Sequence, residues 1–197
     1  MKRITIALFA FLAMAQTAWA QSAIEDIRKQ YAGVKEMIAR MEPEQGWPPE
    51  YYHLKIVQNL PGTGYHEENV RMYFTDEEVD EIYPPHKLLF VSSKYNFAAR
   101  EFYEEYLFDN DGHLIFIYAL TPDAVDEKES ELRFYLADGN LIKTLVKSRA
   151  WGSDAPFKEE YSGTFCPPAY KPSYQTYVQY AAKFKHLFKS IDNSTYK

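Results

Sequence analysis

The chain has 197 residues, 22 basic against 28 acidic, and a net charge of −6 at neutral pH. Nucleic acid and anionic lipid headgroups both call for clustered Lys or Arg, so an acidic chain of this kind is not expected to bind either. With 46% hydrophobic residues it lies outside the disordered class and has the material for one packed core.

Residues 1–20 read as a secretory signal peptide. Met1-Lys2-Arg3 is the charged start, Ile4 to Ala15 the apolar stretch, and Ala18-Trp19-Ala20 places small residues where a signal peptidase cuts. The apolar stretch is shorter than the roughly 20 residues a bilayer-spanning helix needs, so no membrane insertion is expected after cleavage. Removing Lys2 and Arg3 leaves 20 basic against 28 acidic residues, or −8. The expected location is secreted or periplasmic. Cys166 is the single cysteine, so no internal disulfide forms and residues 21–197 are expected to hold together as one α+β domain by their core.

Ser22-Ala23-Ile24-Glu25 has the capping-box pattern and predicts a helix start. Ile24, Ile27, Tyr31, Val34, Ile38 and Met41 then recur at helical spacing and define one apolar stripe. The prolines of Glu42-Pro43 and Trp47-Pro48-Pro49 end it in a loop over 42–50.

From Tyr51 to Lys147 the period becomes two and the residues aromatic and β-branched, which predicts strands at 51–59, 66–75, 87–96, 99–108, 113–120, 130–137 and 140–147. Thr75-Asp76-Glu77-Glu78, with Val79 and Ile82, predicts a short helical turn, and its acids Asp76, Glu77, Glu78, Asp80 and Glu81 read as a solvated face. Asp111-Gly112 and Asp138-Gly139 mark hairpin turns that need positive φ. The nearly unbroken apolar run His113 to Leu120 fits a strand in mid-sheet. After Pro167, Pro168 and Pro172, Ser173 is expected to cap a last helix with Tyr174, Tyr177, Ala181, Phe184, Phe188 and Ile191 on one stripe. The fold class is α+β: an antiparallel meander of about six to seven strands packed with an N-terminal and a C-terminal amphipathic helix.

The run Ile27 to Ile38, the segment Glu104-Glu105-Tyr106-Leu107-Phe108-Asp109 with its Asp-Gly turn, and Arg133-Phe134-Tyr135 with Gly139-Asn140-Leu141-Ile142-Lys143 resemble a group of uncharacterised secreted proteins of Bacteroidetes. That group has an N-terminal amphipathic helix and tandem Asp-Gly β-hairpins. The resemblance covers about half of the mature chain, implies a secreted or periplasmic protein, and carries over no functional residue.

No cofactor and no metal centre are expected. Asp109-Asn110-Asp111-Gly112 begins like a calcium loop, but Leu120 stands where the twelfth-position Glu would be, and the flanks are strands. His66-Glu67-Glu68-Asn69-Val70 begins like a zinc-protease motif and puts Val70 where its second His belongs. His53, His86, His113 and His186 show no ligand spacing, and Cys166 reads as a small buried side chain. No nucleophile elbow, phosphate loop or dinucleotide fingerprint is present.

The aromatics Trp47, Tyr51, Tyr52 and Trp151, in or beside predicted loops, are the candidate ligand-binding residues, because such rings bring large contact area at low entropic cost. The expected function is a non-catalytic interaction module for a protein, peptide or glycan. The alternative is a hydrolase or lyase of an extracellular polymer, using an acid/base pair that spacing does not reveal. The cleavage pattern gives a direct expectation: N-terminal sequencing of the secreted protein begins at Gln21, and a chain starting at Met1 removes the leader reading.

Overall fold

The computed structural model describes residues 2–40, 50–77, 84–123 and 125–195. Among the described residues it is an α+β fold: helix α1 (Lys2–Arg40), eight strands, a 3₁₀ turn at Pro168–Tyr170, and helix α2 (Lys171–Thr195). The chain divides into two compact units, Met1–Arg40 and Met41–Lys197. Among the described residues no helix is long and apolar enough to cross a membrane.

In the first unit the expected stripe is present. Ile24, Ile27 and Val34 are buried and Tyr31 and Ile38 half-buried, while Glu25, Asp26, Arg28 and Lys29 are exposed. The helix does not begin at Ser22. Residues 4–20 include six alanines, the best helix former, and continue the helix upstream, so Ser22 has no free helix end to cap. Glu25 accepts instead from the Gln21 side-chain amide at 3.0 Å. Met41, the 42–49 part of the expected loop and Trp47 lie outside the described residues.

The second unit is one open antiparallel sheet in which every strand pairs with its sequence neighbours, in the order β1 to β8. The strands are β1 (Tyr51–Leu60), β2 (Gly64–Asp76), β3 (His86–Phe97), β4 (Arg100–Phe108), β5 (Leu114–Asp123), β6 (Lys128–Ala137), β7 (Asn140–Ala150) and β8 (Lys158–Gly163). Seven match the expected strands in place, and the count of six to seven is corrected to eight. β8, Lys-Glu-Glu-Tyr-Ser-Gly, has no apolar alternation because it is a short edge strand, and charged side chains suit an edge that must not recruit a further strand. Thr75 and Asp76, expected in a helical turn, close β2 opposite Lys87 and His86. Residues 78–83 are outside the description.

The α2 stripe meets one face of this sheet. Tyr177, Ala181, Phe184 and Phe188 are buried among Val70, Met72, Val91, Tyr106, Ile117, Leu132, Phe134 and Val146, with Tyr174 and Ile191 at the margins. Ring pairs mark the contact: Tyr106 with Phe184 at 5.5 Å, and Phe134 with Tyr174 at 5.0 Å. Each buried side chain gains about 1.5–3 kcal/mol on leaving water, most of it offset by ordering the chain. The helix starts at Lys171, before the expected cap Ser173, because Pro172 fits the first turn, where no intrahelical N–H bond is lost.

The opposite face is apolar as well. Tyr51, Tyr73, Phe90, Leu107, Phe116 and Tyr135 stand in one cross-strand row, and all but Tyr51 are buried. The sheet therefore has two apolar faces. β5 lies in mid-sheet with Ile115, Phe116 and Ile117 buried in succession, as its unbroken apolar run indicates.

The turns follow φ. Gly112 has φ +75°, and Asp138-Gly139 has +51° and +75°, the pair a two-residue hairpin requires. Ala98-Ala99 fills the same role between β3 and β4 at +48° and +61°, where the Cβ of L-residues is unfavourable by about 1–2 kcal/mol each. A Cβ on Gly112 would also stand 3.1 Å from Lys185 Nζ. Gly112→Val should therefore lower stability by about 1–3 kcal/mol and Ala99→Gly raise it by about 1 kcal/mol in urea unfolding. No change in either would mean these turns tolerate side chains at positive φ.

Candidate functional site

Register shifts at Tyr73/Phe74, Leu107/Phe108 and Tyr135/Leu136 fall at the same end of neighbouring strand pairs. Bulges bend strands and re-aim side chains, and at this end the sheet, the Asp109–His113 loop and the last turns of α2 enclose a cavity of about 370 Å³. Leu88, Phe108 and Phe188 supply apolar wall. Lys87 from β3, Lys185 and Lys189 from α2, and Glu77 and Asp111 supply charge.

His86 and Asp192 line the same cavity, 106 positions apart in the chain. Asp192 Oδ1 lies 2.7 Å from His86 Nδ1 and accepts from the Tyr52 hydroxyl at 3.0 Å, and Oδ2 accepts from the His86 backbone N–H at 3.4 Å. Asp76 Oδ1 stands 3.5 Å from His86 Nε2. The imidazole stacks on Phe74 at 4.2 Å and is 7% exposed. The cluster ties the end of α2 to β1 and β3. A buried carboxylate with three donors around it is stable only while those donors stay, so Tyr52 and His86 hold the helix end in place.

The loop beside the cavity is built by Asp109, whose Oδ1 accepts from the backbone N–H groups of Asp111 and His113 at 3.0 and 2.7 Å. The ligand atoms of Asp109, Asp111 and His113 lie within 4.8 Å of one another, so among the described residues these three are the group spaced to hold an ion. Asp111 and His113 are exposed.

A second polar group lies under α2. Glu104 is 2% exposed and accepts from the hydroxyls of Tyr95, at 2.8 Å, and Tyr106. Burial holds its carboxyl above the usual range against the lowering effect of the two hydroxyls, and the Glu68 carboxylate adds to the rise. Glu68 in turn accepts from Ser93 Oγ at 3.1 Å. On the other face Glu105, 1% exposed, accepts from the Tyr103 hydroxyl at 2.6 Å. Cys166 is half-buried, and burial raises its thiol, which opposes thiolate chemistry.

The aromatics singled out from the sequence do not share one surface. Tyr51 belongs to the row opposite α2, 5.3 Å from the Tyr73 ring and with Arg71 over it. Tyr52, on the α2 face, packs on Phe74 and Phe188. Trp151 follows β7 at the other end of the strands, 51% exposed, with the Arg100 guanidinium 5.2 Å above its ring. Trp47 is outside the described residues. What the sequence reading missed is the charged row Lys185, Lys189 and Asp192, at spacings of four and three beside the stripe Phe184, Phe188 and Ile191. That row is visible in the sequence. The pairing of Asp192 with His86 is not, because it depends on where the meander delivers β3.

Because the native carboxyl of Glu104 lies above its ordinary 4.5, the native state binds its proton more tightly than the unfolded chain does. Its contribution is most favourable below that value and is lost as pH rises through the raised one. Glu104→Gln cannot titrate, so its stability relative to the unchanged protein should rise as pH climbs from about 5 towards 8, read by urea unfolding at each pH. A constant difference across that range would show that Glu104 ionises normally in the fold.

No protein-family model, curated protein or solved structure matches the chain.

Proposed function

We propose that the chain is a secreted or periplasmic, non-catalytic interaction module that receives part of a peptide or glycan in the cavity beside α2. The observation that carries this reading is the placement of His86. It is the cavity residue best suited to proton transfer, yet it has Asp192 at 2.7 Å on one ring nitrogen and Asp76 at 3.5 Å on the other. A general base needs a nitrogen directed at substrate, and this imidazole is held between two carboxylates and a Phe ring as an anchor. Glu104 and Glu105 are likewise enclosed by tyrosine hydroxyls. The mixed lining of lysines, acids and apolar side chains suits a ligand with both polar groups and a carbon skeleton. The leader and the resemblance to secreted proteins support the compartment.

A second reading draws on the same pair: a His–acid couple that opens on a cavity is the arrangement a hydrolase or lyase would use. One titration separates the two. The ¹⁵N-labelled mature protein is mixed with short peptides and with neutral or uronic-acid oligosaccharides, and the ligand is analysed afterwards. Shifts at the amides of His86, Gly112 and Lys189 with the ligand recovered intact are expected. Ligand cleavage that is abolished in both His86→Ala and Asp192→Asn would replace the module by the enzyme. Shifts confined to other parts of the sheet would remove the cavity as the site.

A further inference from the structure

Lys185 and Lys189 stand one turn apart on α2, so both ammonium groups belong to the same wall of the cavity, and Lys87 of β3 joins that lining. Like charges at this spacing repel unless an acid lies between them. Asp192 is the nearest acid on that helix face, three residues beyond Lys189, and its oxygens are already taken by His86 and Tyr52. The Lys185 ammonium donates to a neutral partner, the Gly112 carbonyl. Among the described residues neither Lys87 nor Lys189 has a carboxylate within 4.0 Å. The apolar wall of Leu88, Phe108 and Phe188 limits solvent screening, which strengthens any ion pair formed against it. Glu77, Asp111 and Asp192 also line the space and equal the three lysines in number, yet among the described residues none of them pairs with these lysines within 4.0 Å.

We infer that this cavity binds a carboxylate group of the ligand between Lys185, Lys189 and Lys87. The inference rests on the cavity being the binding site of the proposed module and narrows its ligand to one bearing a carboxylate. Two sources present that group, the C-terminus of a peptide and a uronic acid residue of a glycan. A carboxylate fits because each of its oxygens accepts from a separate ammonium donor, and a neutral analogue of the same shape would leave the lysine pair unneutralised.

The test uses the mature full-length chain and four probes: N-acetyl-Ala-Ala with a free carboxylate, the same dipeptide as its C-terminal amide, galacturonate and galactose. Amide shifts at Gly112 and Lys189 report occupancy. Binding of at least one carboxylate probe at least tenfold tighter than its neutral twin is expected, weakening with added salt, and which probe binds identifies peptide or acidic glycan as the source. Lys185→Gln with Lys189→Gln should lose at least tenfold in affinity, with an unchanged melting midpoint showing that the fold is intact, and Lys87→Gln serves as an independent variant on another element. Equal binding of carboxylate and neutral twin, full affinity in the lysine variants, or no carboxylate probe entering the cavity would overturn the inference. In those cases shifts at His86 and Gly112 with larger neutral ligands would leave the module reading standing, whereas ligand turnover would remove that reading itself.

Discussion

The contact between the α2 stripe and the centre of the sheet is the constraint on which the rest of this structure depends. Eight paired strands satisfy their own backbone hydrogen bonds, but they leave Val70, Met72, Val91, Tyr106, Ile117, Leu132 and Phe134 as a broad apolar surface. Tyr177, Ala181, Phe184 and Phe188 remove that surface from water. Ala181 admits the close approach at the middle of the helix, and the rings on either side fill the space above Tyr106 and Phe134. The position of the helix then decides where its charged row falls, so the cavity is a by-product of core packing with lysines added along its border.

Polar groups inside such a core must bring their partners with them. Glu104 sits between two tyrosine hydroxyls, and Asp192 between a tyrosine, an imidazole and a backbone N–H. These networks differ in reach. The Glu104 group is assembled from adjacent strands and depends only on strand register. The Asp192 group joins β1, β3 and the far end of α2, so it reports whether the helix has seated in full.

Much of the architecture was legible in the residues because one face of each element must be apolar. The period of two across Tyr51 to Lys147 and the stripe Tyr174 to Ile191 reappear as strands and as the helix face in the core. The failures have local causes. β8 carries its charges because it is an edge, Ala98-Ala99 turns the chain without a turn residue, and Ser22 lies inside a helix that its upstream neighbours extend. The candidate aromatics Tyr51 and Tyr52 go to different surroundings, Tyr52 as an anchor and Tyr51 as the end of a buried row, because adjacent residues of a strand point to opposite faces. The lysine wall was readable as a helical row, whereas its union with His86 is a tertiary fact.

The nearest-neighbour order of the strands bears on how the chain comes to be folded. Each hairpin can form as soon as its two strands exist, so the sheet accumulates through short loop closures, which are fast and entropically inexpensive. The helix that covers it, Lys171–Thr195, is encoded after all eight strands, and its clasp between Asp192 and His86 closes a span of 106 residues. During synthesis the meander is therefore complete before its cover arrives, and one apolar face is open to other chains for that interval. A chain cut short before α2 keeps all eight strands but loses that cover, and association through the uncovered face would be its characteristic failure.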